Sequence, residues 1–199
     1  MRDIAKLEPI KIQKGDSLTD IFNKCHEVFR NTIAAKDRPL LDGKQIYVPI
    51  RWIENKAEIF WHAASLDQKP ELSIKPCNND MSSSLCEENC VSGSDSIVLG
   101  NGESRMKCIY RALRIGWIRE IIDMYNARDQ RVRYWEKTNS KKKNRIYLRY
   151  IEDEIDYMVV LEDKSSNRVV LITAFPVFFI SAKHDYENDY RRYIRNLGK

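Results

Sequence analysis

The sequence predicts an α+β protein, with helices packed on a four-stranded antiparallel sheet and a Cys/Ser-containing insertion ahead of that sheet. Apolar residues recur at helical spacing in the front of the chain. Four strand-like segments then succeed one another between Arg131 and Phe175. Between these two regions the composition shifts to turn and loop formers. We therefore divide the chain into 1–66, an N-terminal helix and strand belonging to the core; 67–104, an insertion or lid; and 105–199, the main sheet with its helices.

In chain order, Ser17 followed by Asp20 is an N-cap signal. Leu18, Ile21, Phe22, Cys25, Phe29 and Ile33 then mark one face of a helix. His26 lies beside that stripe, where a histidine is more often packed than catalytic. Leu41-Asp42-Gly43-Lys44 reads as a turn into a strand over 45–50. In the segment from Trp52, the aromatic pair Phe60-Trp61 delivers His62 just before Ala63, Ala64 and Ser65. Imidazole titrates near neutrality, so a firmly held His62 is the best acid/base candidate of the three histidines, with a core histidine beside two rings as the alternative.

The 67–104 segment carries Cys77, Cys86 and Cys90, and Cys108 follows. Four thiols could close a structural zinc site, yet the spacings lack paired CxxC knuckles. Half-buried thiols on a short helix are the other reading. After Gly100-Asn101-Gly102, the residues Ile109, Leu113, Trp117, Ile121 and Met124 keep helical register, and Gly116 is the point where that run divides in two. Strands are expected over 131–136, 145–150, 155–161 and 169–175. The last is apolar on both faces and so interior, yet contains Thr173. A helix over 183–196 can pack back on the sheet through Tyr186, Tyr190 and Tyr193.

Charge points to the partner. Over 104–150 the chain holds 14 Lys/Arg against 4 Asp/Glu, a local excess of +10 in a chain of net charge +5. Over 54–95 it holds 3 Lys/Arg against 8 Asp/Glu, and the overall pI of 8.9 hides this polarity. A polyanion suits the basic block. Strand alternation puts Arg145, Tyr147 and Arg149 on one side, with Arg133 and Trp135 beside them. Cations interleaved with rings are a surface for single-stranded nucleic acid, to which Arg111 and Trp117 would add from the helix. The 43% hydrophobic content argues against a disordered chain. No apolar run reaches the ~18 residues of a membrane span, and the first residues lack a signal-peptide core, so no membrane partner and a cytoplasmic location are expected. In that compartment the five cysteines read as thiols or ligands rather than disulfides.

The runs Tyr110-Arg111-Ala112-Leu113-Arg114-Ile115-Gly116-Trp117-Ile118, Tyr134-Trp135-Glu136, Arg145-Ile146-Tyr147-Leu148, Asp156-Tyr157-Met158-Val159-Val160-Leu161 and Leu171-Ile172-Thr173-Ala174-Phe175-Pro176-Val177 carry a resemblance. They are similar to phage-associated members of the barnase/EndoU/colicin/RelE-like nuclease superfamily. The likeness covers about half of the chain, from Arg105 to Val177. Its strand-Thr-Ala-aromatic-Pro ending is the most specific part. The resemblance implies a barnase/RelE-like fold and a metal-independent RNase, typically a toxin of a phage or mobile-element conflict system. It further implies RNA as substrate and a cognate immunity protein or antitoxin. Position by position it implies roles for His62, Arg114, Arg145 or Arg149, and Thr173. The Cys- and Ser-rich segment departs from the common core.

The chemistry asks for the same residue types. Metal-free RNA cleavage uses the 2′-OH as nucleophile, a base, an acid, and cations on the phosphoryl oxygens. His62 could move the proton, Arg114 and Arg149 could fork onto the phosphate, and Thr173 could position it. Glu136 and Tyr150 remain candidates for the second proton carrier. The competing readings are a non-catalytic nucleic-acid-binding module and a protein-interaction module with a structural zinc.

Overall fold

Ser17 starts the first helix by a reciprocal cap. Its Oγ accepts from the Asp20 N–H at 3.2 Å, and the Asp20 carboxylate accepts from the Ser17 N–H at 3.2 Å, an arrangement worth about 1 kcal/mol. The helix that follows, α1 (Leu18–Thr32), buries Ile21, Phe22, Cys25, His26 and Phe29. The expected stripe is present, with His26 inside it. The protein is seen here as a computed structural model that describes residues 6–49, 51–67 and 96–198.

Further elements follow in order: β1 (Leu40–Leu41), β2 (Lys44–Tyr47), β3 (Trp52–Ile53), β4 (Lys56–Ala57), α2 (Glu58–Ala64) and β5 (Ser65–Asp67). Then come β6 (Ser96–Val98), β7 (Ser104–Lys107), α3 (Ile109–Ala112), α4 (Trp117–Asn126), β8 (Val132–Thr138), β9 (Asn144–Glu152), β10 (Ile155–Ser165), β11 (Arg168–Pro176) and α5 (Ile180–Leu197). The helical run does divide at Gly116, which is the N-cap of α4.

The expected four-stranded antiparallel sheet is corrected to a six-stranded mixed sheet, ordered β1-β2-β11-β10-β9-β8 and curled into a half-barrel. The meander β8 to β11 is antiparallel, but β2 adds to it in parallel, with Val169 opposite Ile46. Over Arg168–Val170 the parallel neighbour leaves β11 hydrogen-bonded on both edges, and the strand is apolar on both faces because it is covered above and below. The two ends of the expected insertion also pair, in a small sheet ordered β5-β7-β6.

One face of the large sheet, with Ile146, Leu148, Tyr150, Val159 and Leu171, packs into a single core with α1, α2, α3 and α4. The other face is covered by α5. Trp135, Met158 and Val160 lie there beneath Tyr186, Tyr190 and Tyr193, so the three tyrosines do pack on the sheet. Helices thus lie on both sides of the sheet. Among the described residues no helix is long and apolar enough to cross a membrane.

Candidate functional site

The site is built where α2 ends against β11. A helix leaves its last carbonyls without intrahelical partners and carries partial negative charge there. Arg111 and Thr173 supply the missing donors. Arg111 Nε donates to the Ala63 carbonyl at 2.9 Å, and its Nη2 donates to the carbonyls of His62 at 3.1 Å and Ala174 at 2.8 Å. The Thr173 hydroxyl donates to the same His62 carbonyl at 2.9 Å. This answers why a hydroxyl interrupts an apolar strand: it ties the strand to the helix that carries His62.

Burial lowers the Arg111 pKa to about 10, which leaves it charged at neutral pH. A positive charge is thereby fixed beneath a cleft of about 440 Å³ whose walls include His62, Asp67, Arg105, Arg111 and Thr173. Ile172 lines this cleft beside Thr173, although strict alternation puts consecutive residues on opposite faces. The pairing with β10 shifts register at this point, from Val160 opposite Thr173 to Leu161 opposite Leu171. The extra residue of a β-bulge re-aims side chains in this way.

His62 is half-buried on the last turn of α2. Its pKa is lowered, first by burial and then by the Arg105 charge, with Glu58 and Glu103 pulling the other way. The imidazole is therefore neutral at neutral pH and able to accept a proton. Arg105 is held by its Nε on Ser65 Oγ at 2.9 Å and by its Nη1 on Glu103 at 2.7 Å and on Asp67. Asp67 and Arg105 are register partners across β5 and β7. Sequence reading missed Arg105 and Asp67 because both sit at the edges of a segment of loop composition.

The other expected site residues lie elsewhere. Arg149 is buried and forms a bidentate pair with Asp156, at 2.8 and 2.6 Å. Arg114 stacks over the Tyr110 ring, 3.4 Å from its centroid, and lines a separate hollow. Glu136 accepts from Asn144 at 2.5 Å and from Tyr134, and Tyr150 is buried in the core against Glu152, so neither faces His62.

The aromatic and cationic strip is the seat of α5 rather than an open face. Trp135 is fully buried and stacked on Tyr147, with centroids 5.1 Å apart and planes at 4°. Arg133 is paired with Glu187, and Arg145 with Glu162 at 2.9 Å. Trp117 is buried, with its N–H on the Glu8 carbonyl at 2.8 Å, and Arg111 is spent on carbonyls. The alternation that placed these groups together also makes a sheet face for a helix to cover, and burying rings of this size stabilises that packing by about 2–3 kcal/mol each.

Of the thiols, Cys108 is buried where α3 begins. Cys77, Cys86 and Cys90 lie outside the described residues. Among the described residues no group of three or more His, Cys, Asp or Glu is placed to hold a metal ion.

No family model matches the chain, and neither a curated protein nor a solved structure matches it.

Proposed function

We propose that the protein is a metal-independent endoribonuclease that cleaves single-stranded RNA by 2′-OH attack, with its reaction centre at the His62 cleft. The observation that carries this reading is convergence. His62, Arg111 and Thr173 are far apart in sequence, yet one helix end joins all three, and the imidazole shares a cleft with two arginines.

The parts divide the work as follows. Neutral His62 accepts the 2′-OH proton as the oxygen attacks the adjacent phosphorus, and the phosphorus–5′-oxygen bond breaks to leave a 2′,3′-cyclic phosphate and a free 5′-hydroxyl. The buried charge of Arg111, which rests on neutral carbonyls, favours the anionic phosphoryl group that gains charge in the transition state, whereas the charge of Arg105 is offset by Asp67 and Glu103. Thr173 and Arg111 act through His62 by fixing the turn that carries it. Glu136 and Tyr150 do not line the cleft, and the leaving 5′-oxygen takes its proton from solvent water. No step calls on a metal or other cofactor. A toxin role, with a cognate antitoxin and a cytoplasmic RNA target, follows from the resemblance to conflict-system nucleases.

A non-catalytic binder would need a broad open strip, and the strip best suited to that task is covered by α5. That observation favours the enzyme. The test is incubation of purified protein with single-stranded RNA in EDTA, with analysis of the ends. Cleavage leaving 2′,3′-cyclic phosphates, and blocked by a 2′-deoxy sugar at the cut position, is the expected result. Binding without cleavage across several RNA classes, tRNA included, would replace the enzyme with a binding module.

A further inference from the structure

A hollow of about 780 Å³, larger than the His62 cleft, lies next to it among the described residues. The two share one short stretch of wall: Pro176, Val177 and Phe178 line both. A chain that crosses this ridge leaves one cleft and enters the other.

The second hollow has the composition of a nucleotide subsite. Tyr110 packs edge-to-face on Phe178 with centroids 5.3 Å apart, and the Arg114 guanidinium lies over the Tyr110 ring. Lys11 and Lys183 stand on the walls with Arg114. Of the acids that line it, Asp156 is neutralised by Arg149, which leaves Glu8 and Glu154. Rings that accept a base, beside cations that accept phosphate, are the elements by which single strands are held without sequence readout.

We propose that this hollow is a subsite for the nucleotides that flank the cut in single-stranded RNA, so that the substrate runs over the Pro176–Phe178 ridge. The inference rests on the nuclease reading of the His62 cleft. It assigns Arg114 to holding the strand, and it makes an oligonucleotide rather than a dinucleotide the preferred substrate class.

The test is binding, so that it does not depend on cleavage. A 2′-O-methyl hexanucleotide and the matching dinucleotide are titrated in EDTA against wild type and Lys11→Gln/Lys183→Gln. Arg114→Gln serves as a second variant, since the lysines can be changed without touching the stacked guanidinium. Wild type should prefer the hexanucleotide at least tenfold, and each variant should lose most of that preference. The salt slope should fall by about one for each phosphate contact removed. Lys141→Gln, on the turn between β8 and β9, should leave the preference intact. An undiminished preference in both variants, or equal affinity of wild type for both lengths, would overturn the subsite. If the preference is present and lost as expected while wild type cleaves nothing, the catalytic reading fails and the subsite stands.

Discussion

Arg111 binds the backbone of His62 rather than its ring: Nη2 meets the His62 carbonyl at 3.1 Å while Nε holds the next carbonyl, that of Ala63, at 2.9 Å. The guanidinium is thus a buried C-terminal cap for α2 and a bridge to β11. Arg111→Met removes a donor from the buried carbonyls of Ala63 and Ala174, while that of His62 keeps Thr173, and should cost about 2–4 kcal/mol. Arg111→Lys keeps the charge but not the fork, and should recover only part of that loss. Urea denaturation measures both, and a Met variant within ~1 kcal/mol of wild type would show that the bridge is dispensable.

The pair of Arg149 and Asp156 predicts a stability effect instead of a binding effect. Arg149→Ala strands a buried carboxylate and should cost about 3–5 kcal/mol, whereas Arg149→Met combined with Asp156→Leu should lie much closer to wild type. Thermal unfolding of the two variants decides it. A stable Arg149→Ala protein with weakened RNA binding would instead return Arg149 to the phosphate.

His26 predicts a pH effect. Its Nε2 accepts the Ala57 N–H at 3.2 Å where α2 begins, so the fold needs it neutral. Burial, with Lys56 and Arg30 nearby, lowers its pKa to about 4. The unfolded chain takes up a proton near pH 6.5 that the folded chain refuses. This contribution to stability is therefore complete above about 6.5 and declines as pH falls toward about 4, by up to ~3 kcal/mol. His62, also lowered, adds in the same direction. Urea midpoints at pH 7.5 and 5.5 should differ for wild type and differ less for His26→Phe. Equal pH dependence in the two proteins would remove His26 from the account.

What the sequence made legible was local. The capping pair Ser17 and Asp20, the stripe on α1, and the alternation over 145–150 are set by neighbours a few residues apart. The strand β2 was placed from its turn, but its parallel pairing with β11 joins residues more than a hundred positions apart and leaves no periodic trace. Arg133 and Trp135 were assigned to one face and the α5 tyrosines to the sheet, but that the two meet on the same face was missed. The tyrosines of α5 and the rings of the sheet are one packing layer, and a polyanion site and a helix seat look alike in a strand pattern. In the site, His62 and Thr173 were legible as odd polar residues in apolar settings. Arg111 looked like any basic helix residue, and only the end of α2 gives it a role.

Because His62 is held neutral, its work as a base should persist into mildly acidic solution. The acid limb of kcat/KM should then lie below the ordinary histidine value of about 6.5. A limb above that value would assign the proton transfer to another group.

The central claim is that His62 moves the proton. Single-turnover cleavage of single-stranded RNA in EDTA, measured at saturating enzyme, compares His62→Ala with wild type most directly. The account predicts cleavage by wild type and a rate constant about a hundredfold lower or less still in the variant, with RNA affinity little changed. Equal rate constants for the two proteins would contradict it.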